Sequence, residues 1–161
     1  MRTRRAAALA MTTFLLGAMV TETSAAEIPF RYKISYRNVT SDPDRIWTGE
    51  AFAPGPSGTV TIHEYELRTD HGDLVISQIW DADCSSSTCP TRLVRLVPHK
   101  PPTVLVDDMM HQVVPPDDAR FATVAANGVS AAFAQRPFAL GADGNTLVNG
   151  DVTFKIGGAK P

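Results

Sequence analysis

Cysteine is scarce in this chain of 161 residues, which has only Cys84 and Cys89. Two cysteines do not make a disulfide-dense scaffold. They also cannot close a structural zinc site, because no further Cys or His stands in a matching pair. Other signatures are absent as well. No serine sits in a G-x-S-x-G elbow; Gly55-Pro56-Ser57-Gly58 has the wrong spacing and two prolines. No glycine-rich phosphate loop precedes a helix. "HEYEL" at 63–67 lacks the second histidine of a zinc-protease helix and reads as strand. There is no excess of one charge, with 15 Lys and Arg against 17 Asp and Glu. No long apolar run occurs beyond the first residues, and no repeat or linker divides the chain.

The start of the sequence is the exception. Arg2, Arg4 and Arg5 precede a mostly apolar run from Ala6 to Val20, and Thr23-Ser24-Ala25-Ala26 supplies small residues for cleavage. This is the layout of a signal peptide over 1–26. Its apolar core is shorter than the ~20 residues of a membrane span. No cysteine near residue 26 offers a lipid attachment point. The expectation is an exported protein, periplasmic or secreted, with a single β-rich domain over 27–161 and no membrane span in the mature chain. Without Arg2, Arg4, Arg5 and Glu22, the counts become 12 basic and 16 acidic residues, a net of −4. Such a domain has no electrostatic reason to bind nucleic acid or an anionic membrane.

The cysteines fall between two strand-like runs, "DLVISQIW" and "TRLVRLV". Ser85-Ser86-Ser87-Thr88 between them reads as a hairpin loop closed by a Cys84–Cys89 disulfide. Two residues of spacing, as in a redox motif, would be needed for the thioredoxin alternative. In this register Cys84 faces Cys89 and Asp81 faces Arg92. Upstream, Asp70-His71-Gly72-Asp73 is a turn between "TVTIHEYEL" and "DLVISQIW". With His71-Gly72 as its centre, the expected rows are His63–Trp80–Leu93, Tyr65–Gln78–Arg95 and Leu67–Ile76–Val97. The face holding His63, Tyr65, Gln78, Trp80 and Arg95 is the candidate ligand-binding surface. An interior Arg95 would need an acceptor or an anionic ligand. The competing reading is an exposed arginine lying over an aromatic ring.

The remaining segments also read as strands. "FRYKISYRNV" alternates, with Phe30, Tyr32, Ile34 and Tyr36 on one side. "RIWTGEAFAP" is expected to be another strand. "TVLVDDMMHQVV" is one element bounded by Pro101-Pro102 and Pro115-Pro116, and "NTLVNGDVTFKI" is a turn and final strand. Between them, 117–134 reads as a hairpin centred on Asn127-Gly128, with one short helix near 117–126 as the alternative. The predicted fold is a single antiparallel β-barrel or sandwich of about eight strands.

Asp107, Met109 and His111 share one side of a strand and offer oxygen, thioether and imidazole groups, a set that suits copper(I). Methionine is a common core filler, and one histidine anchors little, so packing is preferred and no metal or cofactor is expected. His71 beside Asp70 and His99 beside Lys100 fall in loops and read as solvent-exposed. The function expected is a non-catalytic binding module recognising a protein or cell-envelope component through loops and one sheet face. The alternative is a small-ligand barrel with a polar pocket around Arg95.

Overall fold

The computed structural model describes residues 26–48, 60–80, 84, 88–116 and 137–157. The expected leader up to residue 25 and the hairpin or helix at 117–134 lie outside the described residues. Among the described residues there is no helix. Nine strands form: β1 (Ile28–Pro29), β2 (Arg31–Val39), β3 (Val60–Leu67), β4 (Asp73–Trp80), β5 (Thr88–Leu96), β6 (Thr103–His111), β7 (Phe138–Leu140), β8 (Thr146–Asn149) and β9 (Val152–Lys155). They make a large five-stranded sheet, β2-β3-β4-β5-β6, and a small four-stranded sheet, β1-β7-β8-β9. All pairings are antiparallel. The sheets face each other as a sandwich and do not close into a barrel.

Among the described residues, the two sheets are connected at both edges. The chain passes directly from β1 into β2 through Phe30, whose N–H donates to the Phe138 carbonyl at 2.8 Å. Beyond β9, the Gly157 N–H donates to the Leu105 carbonyl of β6 at 3.3 Å.

The three-strand meander is present, but its register differs from the expectation. His63 pairs with Gln78, Tyr65 with Ile76 and Leu67 with Leu74. Gln78 pairs with Thr91, Ile76 with Leu93 and Leu74 with Arg95. The expected rows His63–Trp80–Leu93 and Tyr65–Gln78–Arg95 are therefore corrected to His63–Gln78–Thr91 and Tyr65–Ile76–Leu93. Two local causes account for this. The first turn is centred on Asp70-His71, with the Gly72 N–H donating to the Thr69 carbonyl at 3.3 Å. Gly72 follows the central pair with φ +109°, a conformation for which glycine is suited. In the second hairpin β4 ends at Trp80 and β5 starts at Thr88, so the connection is longer than four residues. Cys84 lies outside any strand, and Cys89 pairs with Met110 of β6 instead of facing Cys84. The Cys84–Cys89 disulfide is formed all the same.

Both slips are by an even number of residues. Side chains alternate with period two, so each residue keeps its expected face although its row changes. The inner face of the large sheet carries Tyr65, Leu74, Ile76 and Leu93 into a core completed by Phe138 and Leu147 of the small sheet. The outer face carries Ile62, Val75, Ile79 and Val94.

That outer face is covered by a strap, residues 42–47. Ile46 and Trp47 pack on it, and Trp47 is only 4% exposed. Arg45 to Thr48 do not form the strand expected from "RIWTGEAFAP"; residues 49–54 lie outside the described residues. The strap is held by polar contacts. Asp42 accepts hydrogen bonds from the backbone N–H groups of Asp44 (3.0 Å) and Trp47 (2.8 Å). The Trp47 indole N–H donates to Ser77 Oγ at 2.8 Å. The Arg92 guanidinium stacks over the Trp47 ring at 4.3 Å, donates to the Ile46 carbonyl at 2.9 Å and pairs with Asp107.

Truncating a buried aromatic removes transfer energy and leaves a cavity. Trp47→Ala should lower unfolding free energy by about 3–5 kcal/mol in urea titrations. Arg95→Ala, at an exposed position, should stay within about 0.5 kcal/mol.

Candidate functional site

The residues singled out from sequence divide into an inner group and one outlier. His63, Tyr65 and Gln78 are buried on the inner face, and Trp80 is half-buried beside them. Arg95 is exposed at the opposite end of the sheet, across from Leu74 on one side and Thr103 on the other. Arg95 and Gln78 therefore do not share the row expected to bring them together.

The inner group is a packed polar network. Gln78 Nε2 donates to Thr91 Oγ1 at 2.8 Å and to the His111 carbonyl at 3.2 Å. Gln78 Oε1 accepts from the Trp80 indole N–H at 2.9 Å and from the Val113 N–H at 3.4 Å. Tyr65 donates to the Val113 carbonyl at 2.5 Å. Gln78 thus ties β4 to β5, to β6 and to the segment after β6. A buried amide satisfied in this way fixes register at little net cost. His63 lies edge-on to Trp80 at 4.2 Å, and a 2.7 Å hydrogen bond joins its Nδ1 to Ser35 Oγ. Tyr32 donates to the same hydroxyl at 3.0 Å.

Ser35 reaches the inner face because β2 carries a bulge. Tyr32 pairs with Tyr65 and Ile34 with Glu64, so Lys33 has no partner in the ladder. The bulge overturns the expected alternation. Tyr32 and Ser35 face inward, while Ile34 and Tyr36 share the outer face with Glu64 and Ile62. A bulge re-aims side chains, and this one delivers Lys33 to a polar cluster beneath the strap. Lys33 Nζ lies 2.6 Å from Asp44 Oδ2 and 2.7 Å from Glu64 Oε2. The Tyr36 hydroxyl donates to Asp44 at 3.3 Å.

Glu64 has a side chain that is 0% exposed. Its Oε1 meets no hydrogen-bond partner among the described residues. Burial pushes its pKa up to about 8; the neighbouring Asp44 adds to the rise, and Lys33 opposes it. Asp44 moves the other way. Burial would raise it, but Glu64, Lys33 and Tyr36 together hold its carboxyl below the usual range. Burial likewise works against the Lys33 charge, and its bonds to Asp44 and Glu64 overcome this and raise its pKa. At neutral pH the cluster is an ammonium paired with the Asp44 carboxylate, beside a largely protonated Glu64.

The same strap forms one wall of an open cleft of about 770 Å³. It is lined by Asp44 and Arg45 of the strap, by Asp73, by Leu96 and Val97 at the end of β5, and by the β5–β6 turn from Pro98 to Pro102. Each wall is a proline-initiated turn. Val97-Pro98-His99-Lys100 closes with a 3.0 Å bond from the Lys100 N–H to the Val97 carbonyl, and Asp42-Pro43-Asp44-Arg45 with a 3.2 Å bond from Arg45 to Asp42. Proline suits the second position of such turns. Each turn carries a basic residue in the left-handed region, His99 at φ +63° and Arg45 at φ +58°. A non-glycine residue held there costs on the order of 1 kcal/mol. His99 was legible in sequence as a loop residue; the two proline turns, the conformation of Arg45 and His99, and their place in one cleft were not.

Asp107, Met109 and His111 do not converge. Asp107 pairs with Arg92 at 2.9 Å, and His111 lies 4.0 Å from Asp151. Among the described residues, no group of three or more His, Cys, Asp or Glu is placed to hold a metal. Comparison with protein-family models, curated proteins and solved structures found no match.

The raised pKa of Glu64 has a stability consequence. The unfolded chain ionises this group near pH ~4.3. Between there and about pH 8 the unfolded state holds fewer protons, so stability falls as pH rises. Asp44 acts oppositely, its contribution being lost only as pH falls below ordinary carboxylate values. Urea titrations should show a decline on the order of 2–4 kcal/mol from pH 5 to pH 8. Glu64→Gln, a neutral isostere, should abolish most of it. An equal decline in the variant would contradict this assignment.

Proposed function

We propose that the protein is an exported, non-catalytic binding module, working in the periplasm or outside the cell. It recognises a protein or envelope component through the turns at one end of the sandwich. The observation that carries this reading is the open cleft between the strap and the β5–β6 turn, with strained basic residues on both walls. Strained conformations persist where the surrounding structure over-determines them, and they cluster at binding and active sites. Loops held by a rigid scaffold are the usual carriers of recognition. The strap is such a loop, fixed by Trp47, Arg92 and Lys33.

The alternative of a small-ligand pocket around Arg95 loses its basis in the corrected register. The space between the sheets is occupied by apolar side chains and by the Gln78 network. Export is supported by the leader-like start of the sequence and by the Cys84–Cys89 bridge, which suits an oxidising compartment. Among the described residues, no helix is long and apolar enough to cross a membrane.

Site-specific photocrosslinking in the native host tests the reading. A benzophenone side chain at Lys100, on the cleft wall, should give a discrete adduct. The same group at Val152, on an exposed part of β9, should not. No adduct from position 100, or the same adducts from both positions, would overturn the proposal.

A further inference from the structure

The charge and chemistry of the cleft narrow the class of partner. Its charged side chains are not equivalent. Asp44 is committed to Lys33 and Tyr36. Arg45, His99 and Lys100 are exposed, and none has a side-chain partner among the described residues. Asp73, half-buried where β4 begins, is the remaining acidic group of the cleft. Among the described residues the uncommitted charge is therefore net positive, Arg45 and Lys100 against Asp73, on a chain whose overall formal charge is −2. A locally positive cleft on a negative molecule concentrates anionic partners and orients their approach.

The base and walls add a second requirement. Leu96, Val97, Pro98 and the Pro101-Pro102 pair supply aliphatic surface, and no aromatic residue lines the cleft among the described residues. A flat aromatic platform, on which a sugar ring would stack, is therefore missing there. What fits aliphatic surface bordered by cations is a chain that alternates carboxylates with apolar side chains. The two proline turns hold the cations in place before binding, which limits the ordering cost of association.

We propose that this cleft binds an extended acidic segment of a protein partner, carboxylates engaging Arg45, His99 and Lys100 while apolar side chains rest on Leu96 and Val97. The assignment rests on the binding-module reading and deepens it. Arg45 is the principal contact, since its planar guanidinium can take a carboxylate with two parallel hydrogen bonds. Lys100 adds charge from the β5–β6 turn, and the His99 ring offers a hydrogen-bonding group beside it.

Glycine substitutions give a test that spares the fold. Glycine adopts positive φ without the steric cost borne by Arg45 and His99, so Arg45→Gly and His99→Gly should leave the thermal midpoint unchanged or higher. The probe is a fluorescein-labelled peptide alternating glutamate with valine, compared with its glutamine analogue and with a labelled oligogalacturonate. Fluorescence anisotropy with the purified full-length protein should detect binding of the glutamate peptide that weakens as salt is raised. The glutamine analogue should bind about tenfold or more weakly, and Arg45→Gly should weaken the glutamate peptide by about the same factor. Equal binding of the two peptides, unchanged binding by both glycine variants, or binding of the oligogalacturonate alone would overturn the proposal. If the peptides fail while the adduct at position 100 persists, the acidic segment is wrong and the binding module stands. If that adduct is absent too, both fail.

Discussion

A sheet that is apolar on both faces has to be covered on both, and the large sheet of this protein is of that kind. Ile76 and Leu93 point one way, Val75 and Val94 the other, and all four are buried. Sheets buried on both faces are commonly flanked by helices or by other sheets. Here the small sheet covers one face, and a strap without regular structure covers the other. A strap lacks ladder hydrogen bonds, so its polar groups need individual partners. Asp42 serves its backbone, Ser77 takes the Trp47 indole, and Arg92 spans the ring and the Ile46 carbonyl. The bulge at Lys33 belongs to the same arrangement, because it brings the ammonium to Asp44.

The two faces treat buried polar groups differently. On the inner face Gln78 is satisfied by neutral hydrogen bonds that tie three strands together. On the outer face Glu64 lies in a place where a full charge is disfavoured, and holding its proton is the cheaper state. The neighbouring Asp44 keeps its charge because Glu64, Lys33 and Tyr36 together offset its burial. One wall of the cleft is thereby anchored from below, while Arg45, next in sequence, is exposed.

How much of this could be read from sequence follows from the periodicities involved. The strands β3 to β6 and the disulfide were legible because alternation, turn residues and cysteine spacing are local signals. The faces were legible because period two survives an even slip. The rows were not, since a shift of turn centre from His71-Gly72 to Asp70-His71 changes every partner without changing any side. The longer β4–β5 connection did the same to the second hairpin and carried Arg95 away from Gln78. The β2 bulge was hidden for a related reason. "FRYKISYRNV" alternates cleanly as written, and only the pairing with β3 reveals that Lys33 is an extra residue. The strap misled most. "RIW" has strand-forming residues, yet Trp47 is used as a cover over Ser77 and not as part of a ladder. Glu64 and His99 each looked ordinary in sequence because burial and backbone conformation are consequences of tertiary structure.

The docking of the strap on the outer face is the claim on which the cleft and its charge arrangement depend. The indole N–H of Trp47 reports it directly, since it is buried and donates to Ser77 at 2.8 Å. Hydrogen exchange followed by NMR, with the two tryptophan signals assigned through Trp80→Phe, measures its protection. The account predicts that the Trp47 indole exchanges as slowly as the core amides of β3 and β4, opening only with global unfolding. Exchange at the rate of an exposed indole, with the strand amides still protected, would show that the strap is not docked and would contradict the account.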